Sequence, residues 1–453
     1  MSALLLVLSA SAWARPEAPA LFCETYADTP FCVSSTVSCT MCHAESGPPA
    51  HNPYGAALAD ALEGDDFALA LPAALEAIAF DDADGDGVSN VDELDAGSWP
   101  GFDSTIEPEC STQTTFDNKH YSVGAYDHDF AFRRVMLDFC GRSPRYDERA
   151  AFAEATDPDA ALQEVLGLCL QSPYWRDVLR EMGVRAVRPI GPATDVNILG
   201  NWEWDLRLWS YALSGDRDAA DLMLADYLVV EEPSGSGVLV AIDEPRDSLE
   251  TYAQPLAAED RYGLITTRYS LAMNVMFSAV PRTLAAHWYR QLLGLDIARS
   301  EGLYSIDELD GLYSWDAPRD VDDRGVWQEG CAGCHTTLDA LSYPWARYNG
   351  IDLEGDTTAI YLDDRAADIL PTTEGWIFGA PIDGPEDWVQ AAVASDDFSR
   401  NITGLFWRYL MRRDPYSCEQ GEFDALWTDF RDNGRNVESM LGLFITLDAY
   451  GTP

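Results

Sequence analysis

Cys39-Thr-Met-Cys42-His43 and Cys331-Ala-Gly-Cys334-His335 are the two stretches from which the rest of the chain is read. Each has two cysteines separated by two residues and followed at once by a histidine, the attachment signature of a c-type haem. The two intervening residues set both sulfurs along one porphyrin edge, and the histidine then reaches the iron as proximal ligand. A redox dithiol of the thioredoxin kind needs a βαβ setting. Half of a zinc site needs a second cysteine pair close by. Neither context flanks the motifs. The expectation is two covalently attached haem c groups, on Cys39 and Cys42 with His43, and on Cys331 and Cys334 with His335. The distal ligands stay open. His51, His120 and His128 compete at the first motif, and Met273, Met276, His287 and Met411 at the second.

A second motif follows the first at short range. Asp82-Ala-Asp84-Gly-Asp86-Gly87-Val88-Ser-Asn90-Val-Asp-Glu93 fits a calcium-binding loop position by position. Asp82, Asp84 and Asp86 bring carboxylates at positions 1, 3 and 5, and Gly87 makes the sharp turn at 6. Val88 offers a backbone carbonyl at 7, Asn90 stands at 9, and Glu93 can bind bidentately at 12. An acidic turn without metal is the competing reading. Ser89 occupies a position that is usually aliphatic in paired loops, so the expectation is one solitary structural Ca2+ site.

The whole chain has 453 residues, with 77 acidic against 29 basic side chains and a net charge of −48. Such a surface repels nucleic acid and anionic lipid. It implies a solvated acidic coat, a basic docking face on a redox partner, or both. Residues 1–14 read as a signal peptide, with an apolar run Leu4–Leu8 and a small-x-small end at Ala12-Trp13-Ala14. No later stretch is apolar for long enough to span a membrane. The expected location is periplasmic or secreted. Six cysteines lie outside the motifs, and an even remainder in an exported chain points to disulfides. Cys23–Cys32 closes a short loop, and Cys140–Cys169 would clip two neighbouring helices.

Hydrophobic periodicity makes the fold mainly α, with two haem modules flanking a helical middle domain. The expected divisions are 20–108 for the first haem module with its calcium loop, 125–317 for the middle domain and 318–453 for the last haem module. Within these, 54–62, 71–80, 398–412, 421–431 and 436–449 read as helices, and 264–294 as helix broken at Pro281. Residues 231–260, with Pro233 to Gly237, and 371–385 read as loops. The aromatic run Trp202–Trp209 reads as a core stripe in preference to a haem contact.

Several runs resemble the planctomycete-type cytochrome c family of exported bacterial proteins. They are Arg134-Val-Met-Leu137-Asp138 through Gly141-Arg142-Ser-Pro144, Glu148 and Phe152; then Arg261-Tyr-Gly263-Leu-Ile-Thr266 with Pro281-Arg282 and Leu292-Leu-Gly294. Leu338-Asp339-Ala340-Leu341-Ser342-Tyr343 follows the second haem motif as in that family, with Ala340 and Ser342 in place of its Pro and Gly. The resemblance covers about 125–453 and implies haem binding and export, with no assigned reaction. The function expected is electron transfer through two haems. The alternative is a dihaem peroxidase-like oxidoreductase, which needs an open distal site at one haem. A surface-binding protein with an accessory redox centre is a third possibility, for which no ligand is named. The sequence assigns no oligomeric state.

Overall fold

The computed structural model describes residues 18–32, 37, 41–43, 51–64, 66–101, 125–189, 200–275, 280–296, 339, 341–352, 357–362, 375–378, 380–416 and 419–452. The expected signal peptide, Cys39, the whole second haem motif, Cys110, His120, Met276 and Cys418 lie outside these residues.

Four helices build the first core: α1 (Ala18–Thr25), α2 (Pro53–Ala61), α3 (Phe67–Ala77) and α4 (Asn90–Ala96). Their starts are written in the sequence. Asn52, Asp66 and Ser89 each accept a hydrogen bond from a first-turn amide, and proline follows Asn52 where no amide partner is needed. Gly97, at φ +79°, ends α4 in the left-handed conformation that glycine adopts without penalty. Phe22, Met41, Tyr54, Leu58, Leu75 and Leu94 meet in the interior of this group. Cys23 and Cys32 are bonded, with Cα atoms 5.3 Å apart, and clip α1 to the turn that follows it.

The larger body begins with α5 (His128–Asp138), α6 (Tyr146–Ala153), α7 (Pro158–Leu170), α8 (Pro173–Val187), α9 (Glu203–Ala212) and α10 (Asp221–Leu224). An antiparallel hairpin, β1 (Leu228–Glu231) with β2 (Leu239–Ile242), precedes α11 (Ser248–Ala253), α12 (Arg268–Asn274) and α13 (Arg282–Trp288). Two further hairpins pair β3 (Tyr348–Asp352) with β4 (Thr357–Tyr361) and β5 (Gly375–Ile377) with β6 (Ala380–Ile382). Helices α14 (Pro385–Ala394), α15 (Asp396–Met411), α16 (Gln420–Asp432), α17 (Val437–Phe444) and α18 (Asp448–Gly451) complete it. The described part of the chain is thus mostly helical, as its periodicity predicts.

One continuous core runs from Ala131 to Tyr450, so helices on either side of the expected 317/318 boundary pack together. The Arg134 guanidinium donates to the Tyr450 carbonyl at 2.8 Å and the Leu410 carbonyl at 3.1 Å, and lies 4.0 Å from the Tyr450 ring. Asp127 N–H donates to the Gly451 carbonyl at 3.0 Å. Cys140 and Cys169 are bonded, joining the end of α5 to α7 as expected. Trp209 is fully buried in this core, while Trp202 and Trp204 of the same run lie nearer the surface.

Two stretches expected as loops carry strands. Residues 231–260 contain β2 and α11, and Pro233 to Gly237 form only the turn of the first hairpin. Residues 371–385 hold the third hairpin. The Gly and Pro signals mark the turns correctly. The strands beside them are only three or four residues long, too short for an alternation pattern to register.

Candidate metal and cofactor site

The described end of the first haem motif, Met41 to His43, rests on the start of α2. Met41 is buried in the small core, while Cys42 and His43 are half-buried at its edge. Asn52 holds this turn from three directions. Its Nδ2 donates to the Met41 carbonyl at 2.9 Å, its backbone N–H donates to the Cys42 carbonyl at 3.1 Å, and its Oδ1 accepts from Gly55 N–H at 2.8 Å. Gly55 permits the approach, because a Cβ there would stand 1.8 Å from the Cys42 carbonyl oxygen. Tyr54 is fully buried beneath the turn, and its hydroxyl has no hydrogen-bond partner among the described residues. Burial, reinforced by the charge of Cys42, pushes that phenol far above its ordinary range. The sequence flags the Asn-Pro-Tyr-Gly run only by position. Its cap signal, Asn before Pro, was the available clue to the clamp.

His43 and His51 face each other across an isolated antiparallel bridge, with ring centroids 4.9 Å apart and planes inclined by 32°. Directly opposed residues in such a bridge project to the same side. Two imidazoles that hold one metal from opposite faces need two bonds of about 2 Å, plus both ring radii, between their centroids. That is more than the observed spacing allows. His51 therefore stands beside His43, and as placed the two rings would not hold one metal between them. Among the other candidates, His128 is engaged with Asp159 at 2.9 Å, and Met411 Sδ accepts from Arg134 at 3.7 Å. Met273 packs at the edge of the Val187–Leu206–Tyr269 cluster.

His287 is buried on α13, and its Nε2 has no hydrogen-bond partner among the described residues. Burial, then the charges of Arg188 and Arg290, lowers its pKa to about 4, so the imidazole is neutral. On the same helix, Arg282 forms an ion pair with the buried Asp339, its Nη2 donating to Oδ2 at 2.9 Å. This pair joins the run that contains Pro281-Arg282 to the run that contains Asp339. It fixes Asp339, four residues beyond His335, against α13.

The aspartate loop is organised by its own amides. Gly85 N–H and Asp86 N–H donate to Asp82 Oδ1 at 2.8 and 3.1 Å, and Gly87 N–H donates to Asp82 Oδ2 at 2.9 Å. Val88 N–H donates to Asp86 Oδ1 at 2.8 Å. Gly87, at φ +97°, makes the turn for which the sequence reserved it. One carboxylate oxygen from each of Asp82, Asp84 and Asp86 lies within 4.8 Å of the others. Glu93 is fully buried on α4, and neither of its carboxylate oxygens has a hydrogen-bond partner among the described residues. Desolvation, then the charges of Asp84, Asp86 and Asp82, pushes its carboxyl up to about 8. A buried carboxylate with no donor, facing three more carboxylates, is costly unless a cation neutralises the group. Hard oxygen donors in this number suit calcium.

Asn90, expected as a ligand at position 9, is turned to another task. Its Nδ2 donates to the Ile78 carbonyl at 2.7 Å and its Oδ1 accepts from Ala83 N–H at 3.2 Å. The carboxamide therefore ties the loop to the end of α3. Periodicity cannot separate these roles, since both need a short polar side chain at that position.

The two candidate sites are connected. The Glu93 carbonyl accepts from Ser98 N–H at 2.9 Å and from Ser98 Oγ at 3.3 Å. The chain then runs to Gly101, where a Cβ would stand 2.6 Å from the Asn52 side chain. The segment leaving α4 thus presses on the residue that clamps Met41 and Cys42. Compared with models of protein families, with curated proteins and with solved structures, the chain matches none.

Proposed function

We propose that this chain is an exported dihaem c-type cytochrome that transfers electrons, its first haem module braced by one calcium ion. The observation that carries the reading is the recurrence of the five-residue attachment signature in a chain whose described disulfides, Cys23–Cys32 and Cys140–Cys169, use cysteines outside both signatures. The donor chemistry at the first site fits the group: an imidazole and a thiol at a half-buried edge, over an apolar floor of Met41, Tyr54 and Leu58. Haem, when bound, supplies the one-electron chemistry. His43 and His335 provide the proximal imidazoles, and Cys39, Cys42, Cys331 and Cys334 the covalent links. Asn52 and Gly55 hold the first attachment turn in register. Asp82, Asp84, Asp86 and Glu93 take the calcium ion. The resemblance of 125–453 to the planctomycete-type family supports the second module in the same reading. Disulfide bonding supports an oxidising compartment. The acidic surface favours a partner with a basic docking face.

One observation favours the peroxidase-like alternative. His51 packs beside His43 in one bridge, so this turn would offer the group His43 alone, as a site open to ligand chemistry would require. Two experiments test the readings. Mass measurement and a haemochrome assay of exported protein are expected to give two haems per chain, falling to one in Cys42→Ala; a haem-free chain sinks both. Optical spectra with and without peroxide then separate them. Two low-spin haems inert to peroxide support the carrier, and a high-spin haem that reacts supports the peroxidase.

A further inference from the structure

Most of the described arginines in this acid-rich chain pair with carboxylates, and one cleft gathers three that do not. The cleft, of about 580 Å³, lies between α8, α9 and the turn of the β1–β2 hairpin. Arg176 and Arg180 of α8, Arg207 of α9, and Arg217 just beyond it line its walls. Arg180 is paired with Glu203. Arg176, Arg207 and Arg217 have no carboxylate within ion-pair distance among the described residues.

Each is instead held in place by neutral groups. Arg176 Nη1 donates to the Gly237 carbonyl at 3.0 Å. The Arg207 guanidinium lies 4.5 Å from the centroid of the Trp204 ring, and that of Arg217 lies 3.7 Å from the Tyr211 ring. Arg217 also donates to the Ser214 and Tyr211 carbonyls. Glu231 is the acid that faces Arg207 and Arg176, but its carboxylate accepts from the backbone N–H of Gly237 in the hairpin turn. The guanidiniums of Arg176, Arg207 and Arg217 are therefore oriented, with donors remaining; of the acids that line the cleft, Glu203 is paired with Arg180, while Asp177 and Glu231 form no ion pair with them among the described residues.

We propose that this cleft binds a small organic anion carrying at least two oxyanion groups, carboxylate or phosphate, that engage Arg176, Arg207 and Arg217. Guanidinium forks match both groups in bidentate geometry. The volume suits a small ligand. A long polyanion is excluded, because it would run out of the cleft onto a strongly negative surface. The site is independent of the haem motifs and of the aspartate loop.

The test is calorimetric titration of the full-length, haem-loaded protein with citrate and, separately, with inorganic phosphate. Saturable binding of one equivalent is expected for at least one probe. Citrate alone identifies a polycarboxylate site, and phosphate alone a phosphate-ester site. Arg207→Gln and Arg217→Gln should each weaken it about tenfold or more, the loss of a charge-assisted hydrogen bond. Arg408→Gln, at a paired arginine elsewhere, should leave it unchanged. Arg207→Lys, which keeps the charge, should fall between and guards against a variant that fails to fold. The absence of saturable binding by both probes overturns the proposal, as does binding that folded variants at Arg207 and Arg217 leave intact.

Discussion

His43 and His51 are cross-strand neighbours whose rings lie 4.9 Å apart on one side of the backbone bridge that joins them. A ligand pair for one iron would have to lie on opposite sides. His51→Ala is therefore expected to leave the first haem attached and its visible spectrum unchanged. A shift from low-spin to high-spin bands in that variant would place His51 on the iron and contradict the same-side arrangement.

Gly55→Ala tests the clamp on the attachment turn. The added methyl meets the Cys42 carbonyl oxygen, a backbone atom that cannot move without displacing Cys42. A loss of at least about 2 kcal/mol in the first module is expected, read by thermal unfolding. Asn52→Ala should cost a similar amount, because it removes a helix cap and the brace on Met41 together.

Glu93→Gln separates the cation from the cage. Without calcium the wild-type loop carries a buried carboxylate against three others, so the amide is expected to raise the unfolding temperature of chelator-treated protein. With calcium the order is expected to reverse, since the variant would lose the carboxylate proposed as a ligand and with it most of the calcium-dependent gain. Equal calcium response in both proteins, by thermal unfolding and metal analysis, would remove Glu93 from the site.

His287 sets a pH dependence on the larger core. Its pKa is near 4 when folded and 6.5 ordinarily, so between these values the unfolded chain takes up a proton that the native one refuses. Stability contributed by the neutral ring is complete above about pH 6.5 and is lost as pH falls toward 4, to a total of about 3 kcal/mol. Urea unfolding across this range should show the loss, and His287→Asn should flatten it.

What could be read from the sequence was local. The glycine turn at Gly87 and the disulfide Cys23–Cys32 each depend on residues a few positions apart, and each stands where expected; the caps at Asn52, Asp66 and Ser89 are equally local signals. What escaped depends on distance along the chain. The side on which His51 falls is fixed by a bridge, not by its spacing from His43. The use of Asn90 depends on the end of α3 arriving above it. The arginine cleft draws on α8, α9 and a hairpin turn, none of which carries a basic run. The first hairpin was hidden because its strands are short and its Pro-Ser-Gly turn outweighs them in composition.

The contacts between Arg134 and residues 410 and 450, with that of Asp127 to Gly451, tie the opening of the larger body to its far end. During synthesis the early helices emerge long before their partners, with apolar faces such as Phe132 and Val135 uncovered. A ribosome-bound chain stopped short of α15 can form local turns but not this interior. The body is thus held in a waiting state until the last stretch arrives, and an early stop codon even a few dozen residues from position 451 would be expected to leave chaperones or proteases with the whole of it.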